Sequence, residues 1–174
     1  LIVTAAHVFD DANTNWLWIV RGKKKVKGHP VYFDKGEDIA LVATKPLDMV
    51  KPTRLNVRTP YPPVGEELTY SGYPGRHDLL TIRGEVVGYQ KIWDEREKVV
   101  VHTYGWPGAS GSCFFDKRGR MVGVLVAIPI GRGYVPQLLE SMVFATPIKV
   151  LDLDKLDKNL CKLHSDIRPR FCGK

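Results

Sequence analysis

Three short stretches hold the reactive side chains of this 174-residue chain. Thr4-Ala5-Ala6-His7 ends an apolar run with an imidazole, Asp38-Ile39-Ala40-Leu41-Val42 opens one with a carboxylate, and Thr103 to Cys113 is a Gly-rich turn with Ser110 at its apex. A serine hydroxyl is a poor nucleophile at neutral pH. It needs a base within hydrogen-bond reach and donors aimed at the oxyanion formed after attack. Gly108 and Gly111 remove side chains around Ser110, so the backbone can turn sharply and direct the Gly108 and Ser110 N–H groups to one point. Alone, each stretch is ambiguous, because a structural turn also needs glycine and a lone histidine is more often structural. In conjunction they supply a base, an orienting carboxylate and a nucleophile in the chain order His7, Asp38, Ser110.

The elements that must position these groups read as β-strands. Leu1-Ile2-Val3 leads into His7, Trp16 to Val20 forms a second run, Val31 and Phe33 alternate with polar neighbours, and Ile39 to Ala43 is a buried strand. Arg21-Gly22-Lys23-Lys24-Lys25 is a turn with a solvated basic tip. It reads as a charged hairpin guarding a sheet edge, with an anionic partner as the alternative. Five prolines between Pro46 and Pro63 mark a linker. Beyond it, Glu67 to Gly72, Leu80 to Val87, Lys98 to His102, Cys113 to Phe115, Met121 to Val126 and Ser141 to Ala145 are short strands at near-regular spacing, with a hairpin turn at Asp116 to Gly119. Such a series indicates a sandwich or barrel. Thr146 as N-cap and Pro147 as first residue predict a closing helix with Val150, Leu153, Leu156 and Leu160 on one face. The divisions are 1–60 for a first unit, 61–146 for a second, 147–160 for the helix and 161–174 for a basic tail or linker.

Composition narrows the classes. Apolar content is 44%, charged content 26%, and 16 glycines with 12 prolines favour a turn-rich all-β fold. The net charge of +7 is spread along the chain, which argues against specific nucleic-acid binding. No apolar run approaches the ~20 residues of a membrane helix. Three cysteines make neither a disulfide scaffold nor a zinc module; Cys161 and Cys172 either pair or stay free, and Cys113 reads as a small buried hydrophobe. Neither a cofactor nor a metal is expected. Compartment and oligomeric state are not legible.

The three stretches, with Gly108-Ala109-Ser110-Gly111-Ser112 as the third, resemble the signature motifs of chymotrypsin-like serine proteases. Gly72-Tyr73-Pro74-Gly75, Gly84-Glu85-Val86, Gly119 to Val124 and Phe144-Ala145-Thr146-Pro147-Ile148 are similar to landmarks of the HtrA-like, glutamyl-endopeptidase and viral branches. The resemblance runs from residue 1 to about 158. It implies an all-β fold of two six-stranded antiparallel β-barrels, the first incomplete at its start because six residues before His7 hold only one strand, plus a C-terminal helix.

It implies, further, a serine endopeptidase acting on peptide or protein substrates. His7 would be general base and then general acid, Asp38 would orient it, Ser110 would attack, and the Gly108 and Ser110 amides would form the oxyanion hole. Asp34 is the competing carboxylate, but Lys-Gly-Glu follows it rather than a strand. Tyr104, Gly105, Val126 and Ile128 would line the specificity pocket. Tyr104 stands where trypsin has an aspartate, which implies a neutral pocket, with His102 as a group that could favour acidic or Gln side chains. Ala109 stands where trypsin has the carboxylate that pairs with a newly cleaved N-terminus, so activity should not need such cleavage. Val126 lies near where relatives place a serine bonded to the catalytic Asp. Processing of a viral or phage polyprotein is the biological role that the compact size and basic tail suit; a catalytically inactive binding module is the alternative.

Overall fold

In the computed structural model, which describes residues 1–9, 16–45, 56–92, 96–131 and 137–162, the apolar runs pair into two antiparallel sheets. The first contains β1 (Ile2–Thr4), β2 (Leu17–Arg21), β3 (Lys24–Asp34) and β4 (Ile39–Thr44) in the order β1-β4-β3-β2. Among the described residues it is an open four-stranded sheet, in keeping with a first barrel that is incomplete. Gly22 and Lys23 form the tip of the expected hairpin, closed by the Arg21–Lys24 pair of β2 and β3, and Lys25 and Lys27 on β3 lie over the Trp18 and Trp16 rings at 4.7 and 4.4 Å.

The second sheet closes. Strands β5 (Glu67–Gly72), β6 (Leu80–Ile92), β7 (Arg96–His102), β8 (Cys113–Phe115) and β9 (Met121–Ala127) join β12 (Met142–Pro147), and the barrel order is β12-β7-β6-β5-β8-β9. A two-stranded ribbon, β10 (Ile130–Gly131) with β11 (Gln137–Leu138), projects between β9 and β12. Val57, within the proline-rich segment, bridges Met121 of the barrel. Positions 46 to 55 of that segment lie outside the described residues.

Alternation along the strands sorts the core. Val99, Val101, Val143 and Ala145 point into the barrel with Leu68, Tyr70 and Phe114. Val100 and Phe144 point the other way and pack with Ile39, Leu41, Tyr32 and Val124. The barrel strands facing the first sheet are therefore buried on both faces, as is β4, whose Ala40 and Val42 pack on Phe9, Leu17 and Ile19. Strands of this kind read as continuous apolar runs. Apolar burial of this type contributes about 1.5–3 kcal/mol per large side chain, and it clamps the ends of β1 and β4 against the barrel.

The closing helix differs from its expected position. Thr146 and Pro147 end β12, paired with Val124 and Gly123, and α1 spans only Leu153–Leu160 after a 3-10 turn at Ile148–Val150. Thr146 is not an N-cap; Asp152 is, its Oδ1 accepting the Lys155 N–H at 2.9 Å. Sheet pairing outweighed the local Thr-Pro signal. Leu156 and Leu160 do join the core between the sheets. No helix among the described residues is long and apolar enough to cross a membrane. Cys161 is disulfide-bonded and Cys113 is free; Cys172 and most of the basic tail, 163–174, lie outside the described residues.

Candidate active site

His7 sits in a 3-10 turn, Ala6–Phe9, directly after β1, and Asp38 ends the turn that leads into β4. Because β1 pairs with β4, Thr4 opposite Ala40, the two residues are brought together from 31 positions apart. The Asp38 carboxylate accepts two bonds from the same partner. His7 N–H reaches Oδ1 at 2.8 Å, and the ring reaches Oδ2 through Nδ1 at 2.7 Å. An ionised carboxylate only accepts, so Nδ1 carries the proton and Nε2 is the basic nitrogen. Asp38 is 6% exposed and adopts φ +54°, a left-handed conformation that aspartate tolerates better than most residues. Val126 offers the carboxylate no hydroxyl; the His7 amide occupies the second oxygen.

Asp34 is committed elsewhere. Its Oδ1 accepts the Glu37 N–H at 2.9 Å and faces Arg96 at 3.3 Å, so it shapes the 35–38 turn. That turn is also tied to the barrel. Lys98 of β7 donates to the Glu37 carbonyl at 3.0 Å and to its carboxylate at 2.6 Å, and the Thr146 hydroxyl donates to the same carbonyl at 2.5 Å. No local pattern marks either residue for this contact, since Thr146 with Pro147 carries a helix-cap signature instead. A lysine directly preceding the buried run Val99-Val100-Val101 is the one signal that a buried charge needed a partner.

Ser110 lies half-buried in the loop between β7 and β8. Within this loop the amides of Ala109, Gly111 and Ser112 donate to Trp106, Leu125 and Ala109 carbonyls at 2.8–3.0 Å, whereas those of Gly108 and Ser110 donate to no backbone carbonyl among the described residues. Gly108 and Gly111 have φ +95° and +85°, which only glycine adopts without strain. Close approach adds a second reason. A Cβ on Gly111 would lie 2.3 Å from Thr4 Oγ1 and 3.2 Å from Ala5 N, and one on Gly108 would lie 2.9 Å from the Tyr73 carbonyl oxygen. The serine turn is thus wedged between the segment that carries His7 and the Tyr73-Pro74-Gly75 turn, whose Gly75 N–H donates to Pro107 at 2.8 Å. Ala109 is fully buried in the barrel core. Burial pushes the Cys113 thiol up to about 11, which keeps it protonated at neutral pH and a poor nucleophile.

The expected pocket residues separate. A Cβ on Gly105 would meet Val143 and Ile128, so Gly105 and Ile128 are neighbours. Val126 points into the core between the sheets, where the pairing of β9 with β12 shifts register by one residue. Tyr104 is 62% exposed, and its carbonyl accepts the buried Tyr70 hydroxyl at 2.6 Å, which burial keeps protonated by raising it above its usual 10. His102 is exposed and lines a cavity of about 380 Å³ together with Tyr104, Arg83, Glu85 and Ser141; Gly105, Val126 and Ile128 do not line it. Among the described residues no cluster of His, Cys, Asp and Glu could hold a metal ion.

The profile of the trypsin-like peptidase domain matches residues 1–124. No curated protein matches the chain in sequence. Among solved structures, the chain is similar to the Rv3671c protease of M. tuberculosis in its active form, at 19% identity and a TM-score of 0.68 over 92% of this chain and 67% of that one. The inactive form gives 18% and 0.64 over 94% and 78%. The HtrA-type protease AlgW, solved with a decapeptide, gives 18% and 0.69 over 90% of this chain and 46% of its own. At these identities the likeness shows a shared fold, an open sheet and a closed barrel with the chymotrypsin-like arrangement. With the domain profile covering both the His7 and the Ser110 stretches, the chain belongs to the trypsin-like peptidase family and is a serine-type endopeptidase.

Proposed function

We propose that His7, Asp38 and Ser110 form the catalytic triad that hydrolyses peptide bonds in this chain. Ser110 Oγ attacks the scissile carbonyl carbon while its proton passes to His7 Nε2. The tetrahedral oxyanion is stabilised by the Gly108 and Ser110 amides. His7 then gives that proton to the leaving amine as the C–N bond breaks and an acyl-enzyme forms; water, deprotonated by His7, releases the acyl group and restores Ser110. Asp38 holds the imidazole tautomer throughout. The observation that carries this reading is the pair of hydrogen bonds from His7 to Asp38, 2.7 and 2.8 Å, on a segment against which Gly111 of the serine turn is packed.

Substrates are peptide or protein chains. Polyprotein processing rests on compact size and the basic tail, and that tail lies largely outside the described residues. A fluorophosphonate probe tests the triad and the inactive-module alternative together. Labelling of the wild type that is lost in Ser110→Ala and His7→Ala is the expected result; a folded wild type that takes no label rejects the triad.

A further inference from the structure

The catalytic reading leaves one cavity beside the serine turn unused. It has a volume of about 530 Å³ and is lined by Gly75, His77, Trp106, Pro107 and Gly108. Two rings form its walls: His77 and Trp106 have centroids 5.8 Å apart at 40°, and Tyr104 extends the group at 6.1 Å from Trp106. The Gly75 N–H bond to Pro107 fixes the two walls relative to each other. Glycine keeps the space open, since a Cβ on Gly75 would stand 3.2 Å from His77 and 3.7 Å from Trp106. No lining residue carries a carboxylate or an ammonium group. Neither Gly105 nor Ile128 lines the cavity.

We propose that this cleft is a substrate subsite that takes an aromatic side chain close to the scissile bond. The inference rests on the reading of Gly108 and Ser110 as the oxyanion turn. Gly108 is shared by that turn and the cleft, so a peptide whose carbonyl sits at the turn passes the cleft within one or two residues, at ~3.3 Å per extended residue. Tilted aromatic walls favour another ring through edge and offset contacts. A cleft without fixed charge gives Lys, Arg, Asp or Glu no partner to offset desolvation.

The test is a peptide library varied at three positions on each side of the cleaved bond, run on protein already shown to label with the fluorophosphonate probe. At one position Phe, Tyr or Trp should exceed Ala by about tenfold in kcat/KM, and His77→Ala and Trp106→Ala should each collapse that ratio. His77 is exposed, so its variant keeps the test open if Trp106→Ala does not fold. Titration of Ser110→Ala protein with the preferred peptide and its Ala counterpart should show the same preference in Kd. Labelled wild type with no aromatic preference, or a preference that survives in His77→Ala, overturns the subsite while leaving the catalytic reading intact. Wild type that does not label removes both.

Discussion

Lys98, fully buried in the barrel, holds Glu37 of the other sheet by both its backbone carbonyl and its carboxylate. Glu37 immediately precedes Asp38, whose left-handed φ is set at the end of that turn. The barrel therefore grips the residue beside the carboxylate that orients His7. Lys98→Met leaves the Glu37 carbonyl with Thr146 alone and its carboxylate with the partly exposed Arg96, 3.3 Å away. We expect a loss of about 1.5–3 kcal/mol in stability and, in protein still folded at the assay temperature, a kcat/KM lower by about 10–100-fold from displacement of the His7–Asp38 pair. Denaturant unfolding and peptide hydrolysis measure the two effects. Unchanged turnover in folded Lys98→Met would show that Asp38 keeps its place without this contact.

Gly111 makes another contact between the units, against Thr4 and Ala5. Gly111→Ala imposes a positive-φ cost of about 1–2 kcal/mol and forces the His7 segment away from the serine turn. Gly22 supplies the comparison: φ is +57° but a Cβ there would meet nothing within 4 Å. Both variants should lose stability, and only Gly111→Ala should lose most fluorophosphonate labelling. Equal labelling in the two would mean that the contact is dispensable for the site.

Asp116 gives the fold a pH dependence. Burial pushes its carboxyl up, but the Arg120 amide and guanidinium and the Arg118 amide outweigh this and hold it below the ordinary 3.8. The folded value is depressed, so the stabilisation is complete above 3.8 and is lost as pH falls through the lower folded-state value. Asp116→Asn should cost about 3 kcal/mol at neutral pH, and its Tm deficit against wild type should shrink below about pH 4. A deficit that stays constant from pH 7 to pH 2.5 would exclude a charged Asp116 as the cause.

What the sequence made legible was what short spacing encodes. The carboxylate opening an apolar strand, the imidazole closing another and the glycines around Ser110 are local patterns, and the strands of the barrel appear as apolar runs. The contacts that register one sheet on the other are not local. Lys98 with Glu37, Thr146 with Glu37, and Gly111 with Thr4 join residues 61, 109 and more than 100 positions apart, and their residue types have equally ordinary solvent-facing roles. Thr146-Pro147 carries a strong local cap signal, while β12 takes the same residues for pairing with Val124 and Gly123. The aromatic cleft was hidden for a related reason: His77 and Trp106 stand on separate turns and meet only when Gly75 bonds Pro107.

Ala109 connects the two kinds of information. The sequence placed a small apolar residue before the serine, where trypsin has a carboxylate, and the side chain is fully buried among Leu68, Tyr70 and Phe114 of the barrel. The turn is thereby ordered by packing. Ala109→Asp would bury a carboxylate among apolar side chains, at a cost of several kcal/mol, so we expect loss of folded protein rather than a switch to dependence on a free N-terminus. Probe labelling of protein carrying different N-terminal extensions checks the corollary. Labelling should be independent of the extension, and labelling that appears only after cleavage to one specific N-terminus would show that packing of Ala109 does not suffice to order the oxyanion turn.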